Sequence, residues 1–314
     1  MRLRFRLPLI VAASLIVLPA LSQSNPRPFT VEESGQSFAR LQEAVDAIGP
    51  RQGTIRIAPG LYRDCAVVED GMVAFVADVP GKSVFEGLAC EDKATLVLRG
   101  RGARVAGLVF TGLAVDDGNG AGIRLEEGDL AVSNAMFLDS QSGILTAAFP
   151  SGSLSIDRST FAGLGKDPTG NGAHSVYVGG YGSVKVTRSR FERGVGGHYL
   201  KSRAAKVEIV DNSFDDSKGN DTNYLIDLPN GASGRIAGNS FVQGPNKQNY
   251  GTLITVAPEG VEHSSTGLVI ENNRAWVSPQ FDHRTTFVGN WSGERVTMRA
   301  NELADRITPY EDRD

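Results

Sequence analysis

The 314-residue chain has no excess of positive charge: 32 lysines and arginines stand against 36 aspartates and glutamates, a formal net charge of −4. Without a basic field, nothing in the composition recruits nucleic acid. Cysteine is scarce. Only Cys65 and Cys90 occur, with no Cys-x-x-Cys pair, which removes the usual zinc-site spacings. Beyond residue 21 no apolar run approaches the ~20 residues that a membrane helix needs. Also missing between residues 36 and 303 are a linker, a low-complexity tract or a shift in composition, so this stretch reads as one domain. Helix-favouring runs are few, whereas 37 glycines exceed the average share of about 7%. That balance points to short strands joined by many turns.

What is present begins with Arg2, Arg4 and Arg6, followed by an apolar stretch from Leu7 to Leu21 that ends in Ala20-Leu21-Ser22. A charged start, an apolar centre and a small-x-small end predict a secretory signal over residues 1–22. The expected location is secreted or periplasmic, with no membrane span once the signal is cleaved. Cleavage removes three positive charges and makes the chain more acidic. In an exported chain a disulfide is favoured for the two cysteines, a pair of buried thiols being the plainer alternative.

Residues 23–35 read as an irregular lead-in. Over residues 36–48, Phe38, Leu41, Val45 and Ile48 recur at helical intervals, and Gly49-Pro50 stops the run. A strand at 54–58 and then Pro59-Gly60-Leu61-Tyr62 follow. This opening resembles the N-terminal cap and first coil of pectin-lyase-like right-handed parallel β-helix proteins. The resemblance implies an all-β fold, a single-stranded right-handed parallel β-helix (solenoid) with a short N-terminal capping α-helix.

Internal repetition supports it independently. An apolar-x-apolar pair closed five residues later by an apolar side chain recurs with closing positions 110, 137, 161, 191, 214, 241, 275 and 303, steps of 23 to 34 residues. Such spacing matches one solenoid coil. Two residues before the later closing positions stand Asn212, Asn239, Asn273 and Asn301, which predicts an asparagine ladder at one corner. The 25 residues between Cys65 and Cys90 are also about one coil, so a bridge between neighbouring coils is plausible. Residues 304–314 read as a loose polar tail.

Aligning 174–178, 198–202 and 224–228 as stacked rungs puts Val176, Leu200 and Ile226 in the core. Tyr177, Lys201, Asp227 and Thr255 then form one outward column, and His174, His198 and Tyr224 another at the strand entrance. Arg203 lies two residues beyond Lys201 on the same face. An apolar core has no use for such a cluster. The segments 119–124, 174–179, 197–204 and 226–231 resemble bacterial secreted right-handed β-helix proteins, whose wider relatives include pectate and alginate lyases, pectin esterases, polygalacturonases and mannuronan epimerases.

A lyase on a uronate polymer needs a base for the proton α to the carboxylate and a cation for the developing enolate. Lys201, with a pKa lowered by Arg203, is the candidate base. Arg203 or Arg124 neutralises the carboxylate, and His198 or Tyr177 protonates the leaving oxygen. Arg124, His174, Tyr224, Asp227, Asn230 and Glu259 are the candidate substrate-binding residues, Asp227 either orienting Lys201 or pairing it off. The expected partner is an acidic polysaccharide, the expected state a monomer, and calcium a candidate cofactor. Asp215, Asp216 and Asp221 read as solvated turn residues rather than calcium ligands. The closely grouped aspartates of a polygalacturonase-like hydrolase are not found. A glycan-binding or envelope β-helix protein without catalysis is the alternative of another class, with Tyr177, Tyr181, Tyr199 and Tyr224 as its sugar platforms, and a uronate epimerase or glycoside hydrolase on the same scaffold is the further alternative.

Overall fold

The computed structural model describes residues 27–170 and 172–314, so the signal sequence expected at 1–22 lies outside the described residues. Each coil places one short strand in each of three sheets of twelve, ten and ten strands, and successive coils pair in parallel. The chain is a right-handed parallel β-helix. In one coil the strands are Lys206–Val210, Ser213–Asp215 and Ile226–Leu228; in the next they are Ser233–Ala237, Ser240–Gln243 and Thr252–Val256.

Stacking identical positions makes columns of identical chemistry. Phe85, Phe110, Phe137, Phe161, Phe191, Phe214 and Phe241 pair in register in the second sheet, with neighbouring ring centroids 4.7 to 5.9 Å apart. All seven are buried, and each contributes on the order of 1.5–3 kcal/mol by leaving water. At the corner between first and second sheets, Asn212 N–H donates to Asn239 Oδ1, Asn239 N–H to Asn273 Oδ1 and Asn273 N–H to Asn301 Oδ1, at 2.9 to 3.0 Å. The predicted ladder is therefore present, and it runs further than expected. Ser189 and Ser159 continue it, each hydroxyl accepting the backbone N–H of the preceding coil.

Cys65 and Cys90 form the expected disulfide, with 5.6 Å between Cα atoms. Three local expectations are corrected. The capping helix spans Leu41–Ile48 only, because Gln36–Phe38 is a strand paired antiparallel with Phe29–Val31. That second strand lies inside the supposed irregular lead-in and also pairs with Gln52–Ile57, sealing the first coil. The supposed loose tail carries Ile307–Asp312, which pairs in parallel with Thr285–Asn290. Buried Ile307 anchors it in the core, and Asn290 Nδ2 donates to Tyr310 Oη at 2.8 Å and to Asp312 Oδ1 at 3.2 Å. No helix among the described residues is long and apolar enough to cross a membrane.

Candidate active site

The third sheet carries the site. Its register places Val67, Val97, Arg124, Leu145, Tyr177, Lys201, Asp227, Thr255 and Gly289 in one outward column. Parallel pairing brings each of these within about 4.8 Å of the next. The column is apolar at its start, and its middle, Tyr177 to Thr255, has the register that the stacking of rungs predicted. The entrance column is also formed: the His174 and His198 rings lie 4.8 Å apart, and His198 and Tyr224 5.4 Å apart.

The candidate residues divide into two groups. Arg124, His174, Tyr177 and Arg203 line a cleft of about 440 Å³ together with Asn119 and Leu145. His198, Lys201, Tyr224, Asp227, Asn230 and Glu259 do not line it; they form the network beneath and beside it. In that network Lys201 Nζ lies 3.1 Å from Asp227 Oδ2 and also donates to Glu259. Arg203 donates through Nε to Tyr177 Oη at 3.0 Å, and through its terminal nitrogens to Asn230 and Glu259. Asp227 Oδ1 accepts from the Thr255 hydroxyl at 2.7 Å. Tyr224 Oη accepts from Asn249 Nδ2 at 2.7 Å.

These contacts overturn the expected role of Lys201. Its side chain is 11% exposed and sits between two carboxylates, while Glu259 stands between it and Arg203. Burial alone lowers its pKa, but Asp227 and Glu259 outweigh burial and hold it above the ordinary lysine value. An ammonium held in this way is no base at neutral pH. Burial raises the Asp227 pKa in spite of Lys201. It also drives His198 down to about 3 and His174 well below the usual imidazole value, with the Lys201 charge acting in the same direction on both.

Both imidazoles are therefore neutral at pH 7; a backbone contact fixes the tautomer of His174, while His198 has Asp227 Oδ2 3.4 Å from its Nε2 and His174 Nδ1 3.2 Å from its Nδ1. His174 Nδ1 accepts the backbone N–H of His198 at 3.1 Å, so its own proton sits on Nε2. The 3.2 Å contact between the two Nδ1 atoms is a hydrogen bond when His198 carries its proton on Nδ1. His174 thereby becomes a hydrogen-bond donor at the cleft wall rather than a base.

Arg124 has little to hold it. Its Nε is buried without a hydrogen bond, and the nearby Glu126 Oε1 is 3.5 Å away. Glu126 is already engaged by Arg99 at 2.6 Å and Lys93 at 2.9 Å. A guanidinium in this position has capacity for an anion.

Other expectations fail for reasons of burial. Tyr199 and Tyr181 are core residues, each 1% exposed, and cannot be sugar platforms. Tyr199 points inward, where its hydroxyl donates to Asp216 Oδ1, away from the face that carries Lys201. Asp216 is no solvated turn residue: it is fully buried, accepts from Tyr199 Oη and the Thr222 hydroxyl at 2.8 Å each, and pairs with the equally buried Lys247 at 2.8 Å. Its partner Lys247 was not anticipated; the 31 residues between them span one coil and a long loop, with no local motif to show the pair. Among the described residues, no three His, Cys, Asp or Glu side chains gather to hold a metal.

No protein-family model and no curated protein matches the sequence. Solved structures similar to it include ORF18 of Geobacillus virus E2, at 11% identity and a TM-score of 0.47 over 86% of this chain. The chain spans 57% of the length of that viral structure. A pectin methylesterase from Aspergillus niger aligns at 10% identity and a TM-score of 0.46, over 95% of this chain and 92% of the enzyme. The surface protein and adhesin PfbA of Streptococcus pneumoniae aligns at 11% identity and 0.36, over 87% and 94%. At these identities and scores the likeness assigns no activity.

Proposed function

We propose that the chain is an exported, monomeric polysaccharide lyase that cleaves a uronate-containing polymer by β-elimination. One observation carries this reading: Arg124, Arg203, Tyr177 and His174 converge on a single cleft whose lining contains no carboxylate. Two guanidiniums in a lining without an acid fit a carboxylated sugar, even with Glu259 reaching Arg203 from outside the cleft, and that lining offers no pair of acids for glycoside hydrolysis.

In this reading Arg124 and Arg203 bind the uronate carboxylate and offset the charge of the enolate. His174 Nε2–H donates to the same oxygens. Tyr177, whose oxygen accepts from Arg203 Nε, is placed to take the proton from the carbon α to the carboxylate; the bond from the β-carbon to the glycosidic oxygen breaks, a carbon–carbon double bond forms, and the proton returns to the leaving oxygen. Lys201, Asp227 and Glu259 position Arg203 and His198 and do not touch the sugar.

The test is ultraviolet absorbance of the unsaturated product on a panel of uronate polymers, with and without calcium. Absorbance that rises with the wild-type chain and falls about 10²- to 10⁴-fold in Tyr177→Phe, with binding retained, supports the assignment. Retention on an immobilised acidic glycan without any rise favours a binding protein instead. One observation speaks for that second reading: Lys201, Arg203, Asp227 and Glu259 satisfy one another within the protein.

A further inference from the structure

Two loops leave the second sheet on their way to the third and lean on each other, residues 112–120 and the described residues 163–170 and 172–175. At their contact Gly118 has φ +82°, and a Cβ there would lie 2.3 Å from Asp167 Oδ1. The positive φ favours glycine at this contact. The paired loops form a rib. On one side lies the cleft of Arg124 and Arg203, to which the rib contributes Asn119 and Gly172. On the other lies a second cleft of about 740 Å³, to which it contributes Ala114, Lys166 and Pro168.

The second cleft is built from successive coils. Lys166, Arg193 and Lys218 follow the strands Thr160–Ala162, Arg190–Glu192 and Ser213–Asp215, and line it together with Leu113 and the 38%-exposed Val195. Lys166 and Lys218 make no hydrogen bond or ion pair among the described residues. Arg193 is held loosely, 3.8 Å from both Asp139 and Glu192. Asp139 is the one carboxylate of the lining, against three cations. In a chain of net charge −4, such an excess within one concave site concentrates anions.

We infer that this second cleft binds a further anionic sugar unit of the polymer that fills the first, the chain passing over the rib. Apolar floor and cationic rim complement a uronate ring, with its carbon face and its carboxylate. The inference rests on the acidic-glycan reading of the first cleft but not on turnover there.

The experiment is calorimetric titration with uronate oligomers of increasing length. It compares the wild-type chain, Arg124→Ala and the double variant Lys166→Ala/Lys218→Ala, whose lysines are exposed and unpaired. Two tethered sites gain about 10²-fold or more over one. Wild-type affinity should therefore climb by about that factor once an oligomer spans both clefts. The double variant should bind short oligomers as the wild type does and lose the climb; Arg124→Ala should weaken short and long oligomers alike. A wild-type climb retained in the double variant overturns the inference, with the first cleft left standing. An equal loss at every length also overturns it, since that is non-specific attraction. If no oligomer of any length binds the wild type, the acidic-glycan reading falls and this inference with it.

Discussion

Glu259 shows how much one side chain can decide. It is 42% exposed, yet its two oxygens take Lys201 and Arg203, the place a substrate carboxylate would occupy on Arg203. Glu259→Gln should therefore tighten binding of acidic oligosaccharides, read as a fall in dissociation constant or in KM. Burial raises its pKa, but the hydrogen bonds from Lys201 and Arg203 outweigh this and leave it below the usual 4.5. A lowered carboxylate pKa stabilises the fold above the unfolded value and stops doing so as pH falls through the folded one. The thermal midpoint of the wild type should thus lose its margin over Glu259→Gln below about pH 4.5, and a pH-independent difference would contradict this. Lys247 is a sharper case, because its removal leaves Asp216 buried without its ion-pair partner. Lys247→Met should cost about 3–5 kcal/mol in urea unfolding, and adding Asp216→Asn should restore some of it. The residue types of Tyr177, Lys201 and Asp227 were legible in the sequence because parallel stacking converts one coil into one strand spacing. Pairing of Lys201 with Asp227 was one of the two alternatives that stacking offered, but its contact with Glu259 was not legible, since Glu259 reaches it from a turn of a different coil and leaves no periodic trace.

The elements repeat, so their stability is shared among columns. Asn239→Ala would orphan the N–H of Asn212 and the carbonyl of Ile209, both buried at the corner. A loss of about 1–3 kcal/mol for each group follows, measured as a lower urea midpoint. Asn239→Ser should cost less, because Ser189 already acts as the acceptor in the same ladder, donating back to Thr187 O as it accepts from Ser159 N–H. That interchange explains why the sequence revealed four rungs and hid two. Asparagine at a fixed offset is an unusual pattern, whereas serine before a strand is common. Strand Ile307–Asp312 was hidden for a related reason: only Ile307 and Tyr310 among its six residues reach the core, and the pairing with Thr285–Asn290 uses backbone groups that any sequence supplies.

At the scale of the molecule the coils are coupled chiefly to their neighbours, and damage at one end should stay there. The Cys65–Cys90 bridge ties the first coil to the second near the capping helix, far along the stack from Tyr177 and Arg203. A loop of this length contributes on the order of 3 kcal/mol through the unfolded state. In a globular core, losing it would weaken every region together. Here Cys65→Ser/Cys90→Ser should raise hydrogen exchange in Leu41–Ile48 and the first two coils, with amides of Val176–Val178 and Leu200–Ser202 staying protected. Binding of acidic oligosaccharide should then survive at temperatures where the cap has already opened. Exchange that rises uniformly through all coils would show instead that the stacked phenylalanines and the ladder bind the solenoid into one cooperative unit.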